Sequence, residues 1–135
     1  MKNIFLLFSV VSFQLIIAQP PPKEINTNEE NLVYSTAGIE VKPEYPGGIE
    51  VFYKHVAINY RVPTHKDFSG GRVIVSFVVE KDGSLSDVKV LKDAGFGTAE
   101  EAIRVVKSAK RWQPAEQNGK KVRCKYMLPI SLASP

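Results

Sequence analysis

The fold is decided by residues 71–92, which read GRVIVSFVVEKDGSLSDVKVLK. Apolar and polar residues alternate on both sides of Asp82-Gly83, a pattern typical of half-buried strands. Asp-Gly between two β-prone runs is the strongest short-range signal for a β-hairpin. We therefore predict one strand over about 73–79 and a return strand over about 85–92.

Two helices and a third strand complete the predicted domain. Apolar residues at helical spacing predict a first helix over about 49–60. Thr98 is predicted to cap a second helix, and Glu101, three residues further on, completes a capping box with it. Alternation from Val122 to Leu132 predicts a last strand. The order helix, strand, strand, helix, strand indicates an α+β fold with a small three-stranded antiparallel sheet, one face of which the helices cover.

The segment before the domain has two predicted parts. Ile4 to Ala18 carries no charged residue, and as a helix it would span roughly 22 Å, short of a hydrocarbon core of about 30 Å. We predict a signal peptide over 1–18, cut after the small Ala18, and therefore export. Ile16 is the third residue before the predicted cut, where signal peptides prefer a small residue. An uncleaved inner-membrane anchor is therefore the alternative.

Residues 19–42 are predicted to be a tether, and 43–133 the folded domain. The tether begins with three prolines and continues with polar residues, which bury little apolar surface. Residues 19–50 carry two lysines and six glutamates, a net charge of −4. Residues 51–135 carry fifteen Lys or Arg and eight Asp or Glu, a net charge of +7. The basic character of the chain therefore belongs to the domain.

No catalytic or metal-binding pattern stands out. His55 and His65 fit neither a metal-ligand nor a triad spacing and are expected at the surface. The single cysteine, Cys124, excludes an internal disulfide and is expected to be a buried apolar residue. We expect no enzyme activity, no cofactor, no bound metal and no small-molecule substrate. Export also argues against nucleic acid as a partner.

The last strand is the most informative candidate for binding. Lys121, Arg123 and Lys125 form a basic row opposite its apolar face. Pro129 has no N–H for a sheet ladder, so it indicates that this strand lies at the sheet edge or ends there. Such an edge could be a solvated face, a protected edge, or a docking site for an extended peptide with acidic neighbours.

Several short motifs together resemble the C-terminal domain of TonB, in a short stand-alone form similar to that of Bacteroidetes-type bacteria. They cover about residues 43–133 in one colinear order. The motifs are Tyr45-Pro46-Gly47-Gly48, Gly71 to Val79, Asp82-Gly83-Ser84, Val88-Lys89-Val90, Glu101 to Val106, Trp112-Gln113-Pro114-Ala115, Asn118-Gly119-Lys120 and Tyr126 to Ile130.

The resemblance implies a periplasmic, protein-binding module of TonB-dependent transmembrane transport. It would bind the TonB box of an outer-membrane transporter, or another envelope protein, as a strand added to the sheet edge. The peptide-binding residues that it implies are Tyr45, Pro46, Val122, Arg123, Cys124, Lys125, Tyr126, Met127 and Leu128.

Two alternatives remain open beside the binding module. The apolar run is short and contains no histidine, and the tether has only three consecutive prolines, unlike an energy transducer of this family. An anchored transducer that uses residues 4–18 as its membrane span is nevertheless one alternative. A structural homodimer that pairs through the edge strand is the other.

Overall fold

The computed structural model describes residues 30–135, so the predicted signal peptide and the first part of the tether lie outside the described residues. The elements are β1 (Val33–Ser35), α1 (Ile49–Asn59), β2 (Gly71–Val79), β3 (Leu85–Lys92), α2 (Thr98–Lys107), β4 (Ala115–Gln117) and β5 (Lys120–Leu132). The mixed α+β class and the predicted order of α1, β2, β3, α2 and β5 are confirmed.

The sheet contains the three predicted antiparallel strands and two short additions. Its strand order is β1-β5-β2-β3, and β4 pairs with the beginning of β5. In the register of β2 and β5, Val75 lies opposite Leu128 and Phe77 opposite Tyr126. These large residues therefore point to the same face of the sheet, where they can pack together.

The main core lies between this face and the two helices. Phe52 and Val56 of α1 and Val105 of α2 are buried against the sheet. Trp112, in the loop after α2, is only 3% exposed and joins the layers. Its ring centroid lies 4.9 to 5.5 Å from those of its aromatic neighbours, which are Tyr45, Phe52, Phe77 and Tyr126.

The predicted hairpin turn has a second role in the fold. Gly83 has φ +82 and donates its N–H to the carbonyl of Glu80 at 2.9 Å. Its own carbonyl accepts the N–H of Trp112 at 2.9 Å. A Cβ at position 83 would lie 1.9 Å from the carbonyl oxygen of Trp112, so only glycine lets the two backbones meet here.

The predicted capping box at the start of α2 is wrong. The N-cap is Gly97, in the left-handed region, and no side chain caps the helix. The Thr98 hydroxyl instead donates to the carbonyl of Gly95 at 2.7 Å. Glu101 accepts the backbone N–H of Arg61 at 2.9 Å and pairs with Arg104. Thr98 therefore bonds to the loop before the helix and Glu101 to Arg61 and Arg104, so neither side chain caps the helix.

Candidate functional site

The candidate site is the edge of β5 that faces away from β2. Cys124 and Leu128 are fully buried toward the apolar side of the sheet, and Val122 and Tyr126 are partly buried there. Arg123, Lys125 and Met127 alternate with these residues and lie on the opposite face. The structure thus keeps the predicted residues from Val122 to Leu128 together on one strand.

Two short strands pair with the first half of β5, and one of them, β1, covers part of this edge. β4 pairs with Lys120 to Val122 in a tight antiparallel hairpin. β1 runs parallel to β5, with Tyr34 opposite Cys124 and Ser35 opposite Lys125. Beyond residue 125, no strand within the described range of 30–135 pairs with the outer side of β5. The sequence predicted an edge, and the structure divides it into an occupied and an open part.

Proline marks the far limit of the open part. Pro129 does not end the strand, since β5 continues to Leu132 and pairs Pro129 with Ile74 of β2. On the outer side, the hydroxyl of Tyr53 donates to the Pro129 carbonyl at 3.3 Å. Proline is tolerated at position 129 because no strand of the described residues needs an N–H from it on the side of β5 away from β2.

Tyr34 fills a small apolar pocket beside the edge. Ile39, Ala115 and Cys124 form a buried cluster separate from the main core, and Tyr34 and Val122 pack against it. Burial raises the pKa of the Cys124 thiol, which favours its neutral, unreactive form. Cys124 is therefore the buried apolar residue that the sequence predicted, and it lies beside Tyr34 in the register of β1 and β5.

The predicted basic row is only partly available to a partner. The Arg123 guanidinium forms a double hydrogen bond to Glu80, with distances of 2.7 and 2.9 Å. It also donates to the backbone carbonyl of Asn31 at 3.1 Å. Lys125 is exposed and forms no ion pair with any residue from 30 to 135. Lys125 is thus an exposed cation at this edge, whereas Arg123 is neutralised by Glu80.

An open groove of about 320 Å³ follows the seam between β1 and β5. It is lined by Val33, Tyr34, Ser35, Thr36, Lys125 and Met127. The Met127 side chain is 57% exposed and gives the groove an accessible apolar surface. The groove thus combines an apolar wall with one unpaired positive charge.

Tyr45 and Pro46 lie away from this edge. Tyr45 is 3% exposed in the main core, where its hydroxyl accepts the backbone N–H of Lys110 at 3.3 Å. It contacts Trp112, which in turn contacts Tyr126 of β5. Pro46 is exposed just before α1. Their part in peptide binding stays a prediction.

The segment predicted as a tether contributes to the site. Within it, Val33–Ser35 forms β1, and the backbone of Val41 pairs with that of Glu116. The only sequence signal for this contact is the apolar cluster Leu32-Val33-Tyr34 in otherwise polar surroundings. Three residues are too few to show a strand period, so their partner could not be named from the sequence.

The histidines lie apart from the edge. His55 is partly buried between the helices, with Nε2 3.2 Å from the carbonyl oxygen of Val105. His65 is exposed and lies 3.7 Å from a carboxylate oxygen of Asp67. Over residues 30–135, no group of three or more His, Cys, Asp or Glu side chains could hold a metal ion. The same range contains no helix that is long and apolar enough to span a membrane.

Comparison with known proteins finds one family that matches part of the chain. No curated protein matches the chain. Among solved structures, the solution structure of the TonB C-terminal domain of Helicobacter pylori is similar, with 24% identity, a TM-score of 0.43, and coverage of 64% of this chain and 82% of that one. The family described as Gram-negative bacterial TonB protein C-terminal matches residues 67–131, from the loop before β2 to the end of β5. Residues 67–131, which include β2, β3, α2, β4 and most of β5, therefore match the TonB C-terminal domain family.

Proposed function

We propose that the outer edge of β5 binds an extended segment of an outer-membrane transporter in the periplasm, by adding it to the sheet as a strand. The family is associated with TonB-dependent transport. The observation that carries the proposal is β1 itself, a strand that pairs with residues 123–125 of this edge. An edge that accepts one extended segment has the backbone geometry to accept another.

The open part of the edge supports the same proposal. Tyr126, Met127 and Leu128 follow directly after the residues that β1 covers. Their outer side pairs with no strand of the described residues, and the exposed Met127 offers apolar contact. Pro129 and Tyr53 close the ladder at its far end. The open part thus corresponds to Tyr126 to Leu128, the last three residues of the site from Val122 to Leu128 that the family resemblance implies.

The affinity should be modest. A single added strand buries less area than the 1,200–2,000 Å² typical of stable complexes. Backbone hydrogen bonds would supply much of the interaction, and the side chains of Lys125 and Met127 would select the sequence. Such binding suits a partner that is engaged and released repeatedly.

The test is titration of the isotopically labelled full chain with a synthetic peptide that carries the TonB box of an outer-membrane transporter. We expect amide shifts from Arg123 to Leu128. We also expect Met127→Asp to weaken binding roughly twofold to fivefold, the range of one lost cross-strand contact. The matched control is Leu91→Asp, because Leu91 is 54% exposed on β3 at the opposite edge of the sheet.

Two results would contradict the proposal. One is the absence of shifts on β5 at peptide concentrations that saturate a weak site. The other is an equal loss of affinity in Met127→Asp and Leu91→Asp. Shifts on β5 that depend on protein concentration without peptide would instead support pairing of two chains through this edge.

A further inference from the structure

β1 occupies the position that a bound peptide strand would take. Val33, Tyr34 and Ser35 lie opposite Arg123, Cys124 and Lys125 in parallel register. Arg123, Cys124 and Lys125 belong to the peptide site that the family resemblance implies. A second strand cannot bond to the same backbone groups of β5 while β1 is in place. Part of the site is therefore filled by the chain itself.

One side chain supplies most of the apolar anchoring of β1. Leu32 and Val33 are 48% and 38% exposed, so Tyr34 carries most of the apolar contact of β1. Arg123 adds one hydrogen bond, to the carbonyl of Asn31. A strand of three residues with one anchoring side chain has a low cost of local opening.

The residues that follow are held separately and more firmly. Glu40 donates its N–H to the side chain of Gln117 at 3.0 Å. The backbones of Val41 and Glu116 exchange two hydrogen bonds, at 3.0 and 3.1 Å. Between this attachment and β1 lies Gly38, with φ +78 and no atom within 4 Å of the place that a Cβ would take. The chain can therefore pivot near Gly38 while residues 40–44 stay paired.

We propose that β1 is a built-in competitor for the peptide site, held by Tyr34 and displaced when a partner strand binds. The proposal rests on the proposed function for the identity of that partner. It also specifies the ligand: an extended segment that runs parallel to β5 and places a large apolar or aromatic side chain in the pocket of Ile39, Ala115 and Cys124. Lys125 favours an acidic residue beside that side chain.

Attachment to the same chain makes even a weak strand an effective competitor. A short flexible linker gives its segment an effective concentration on the order of millimolar. The apparent affinity of an external peptide equals its intrinsic affinity multiplied by the fraction of molecules in which the edge is open. Loss of the Tyr34 anchor should therefore strengthen the binding of a transporter peptide without changing any residue of β5.

Cys124 provides a local reporter of this opening, because it is the single cysteine, is 0% exposed, and belongs to the cluster against which Tyr34 packs. In the full chain, we expect Tyr34→Asp to speed alkylation of Cys124 about tenfold or more, since the protected state loses its anchor. The matched control Leu32→Asp adds the same charge two residues away and should stay within about twofold of the wild type. Equal rates in the wild type and Tyr34→Asp would overturn the proposal.

A second measurement distinguishes local opening of β1 from unfolding of the whole domain. The fluorescence of Trp112, in the separate main core, should remain native in Tyr34→Asp. A synthetic peptide with the sequence of residues 30–39 should slow the alkylation of Tyr34→Asp and leave the wild type unchanged. Failure of this peptide to protect a variant with native fluorescence would contradict the proposal. An alkylation rate that depends on protein concentration would show exchange of β1 between two chains and would also overturn it.

The two proposals can fail independently. Alkylation involves no transporter peptide, so it tests the built-in competitor alone. If Tyr34→Asp opens the edge and the TonB-box peptide still does not bind, the proposed function fails while the displacement of β1 stands. If the peptide binds the wild type and Tyr34→Asp equally well, the peptide site stands and the competitor is refuted.

Discussion

Arg123 and Glu80 form a two-pronged ion pair between β5 and the end of β2, with nitrogen–oxygen distances of 2.7 and 2.9 Å. Glu80 also accepts a hydrogen bond from the hydroxyl of Ser86. The pair removes Arg123 from the basic row that the sequence suggested as a contact for acidic ligands. It serves instead to hold the sheet together next to the binding edge.

Glu80→Gln should therefore destabilise the domain by on the order of 1 kcal/mol, since a planar, partly buried pair is worth more than an exposed one. The hydrogen bond from Arg123, followed by that from Ser86, lowers the pKa of Glu80 below its ordinary value of 4.5. A lowered pKa means that this contribution is complete above about pH 4.5 and is lost as the pH falls further. Denaturant unfolding between pH 3 and 7 measures both effects.

The control for this pair is Asp87→Asn. Asp87 and Lys89 also form an ion pair, at 3.2 Å, but their side chains are 55% and 63% exposed. We expect little change in stability, because solvent screens such pairs. If Asp87→Asn and Glu80→Gln lose the same stability, the loss comes from the change in net charge and not from the bond between Glu80 and Arg123.

Gly83→Ala should be one of the most damaging single substitutions in the domain. The new methyl group would collide with the Trp112 carbonyl, and positive φ adds strain. We expect a loss of at least about 2 kcal/mol in the free energy of unfolding. Denaturant unfolding followed by Trp112 fluorescence measures it.

Gly119→Ala separates these two causes. Gly119 has φ +73 but no atom within 4 Å of its Cβ position. The free energy of unfolding of Gly119→Ala should fall only by the strain of a left-handed backbone, about 1 kcal/mol. If the two alanine variants lose the same stability, the close approach of Gly83 to Trp112 is not what requires glycine there.

Tyr60 should make stability sensitive to alkaline pH. Its hydroxyl donates to the carbonyl of Thr98 at 2.7 Å. Burial, and then the negative charge of Glu101, raises the pKa of Tyr60 from 10.0 to about 12. A raised pKa favours the neutral form in the fold, so the stabilisation is complete below pH 10 and is lost as the pH rises toward about 12.

Tyr60→Phe should cost about 1 kcal/mol near neutral pH, since it leaves the Thr98 carbonyl without its partner. The same variant should lose less stability than the wild type between pH 10 and 12, the interval in which Tyr60 titrates. Thermal unfolding of both chains across this interval makes the comparison. Parallel losses in both would show that another group, such as Tyr126, governs the alkaline transition.

Lys125→Glu should weaken the binding of a transporter peptide with acidic flanks by about threefold, and more at low salt than at high salt. The reason is that Lys125 is exposed at the edge, whereas Arg123 is neutralised by Glu80. Lys92→Glu on β3 carries the same charge change at the far side of the sheet. Equal weakening by both variants would indicate a long-range field rather than contact at the edge.

The local features of the fold could be predicted because neighbouring residues determine them. Asp82-Gly83 and the alternation around it place the β2–β3 hairpin correctly, and the observed β3 has the predicted bounds Leu85–Lys92. The spacing of Phe52 and Val56 likewise places α1 within one residue of its observed end. Turn residues and the spacing of apolar residues are local patterns of a few residues. They therefore predict these elements without knowledge of the tertiary contacts.

The sequence by itself determined the hairpin, the helices, and the last strand as the candidate for binding. Only the tertiary structure decided the contacts of that strand. Glu80 pairs with Arg123, Tyr53 donates to the carbonyl of Pro129, and β1 pairs along the edge. Val33 and Arg123 are paired although 90 positions separate them in the chain. Such contacts depend on loop closure and on the assembled sheet, and three residues of β1 have no strand period of their own.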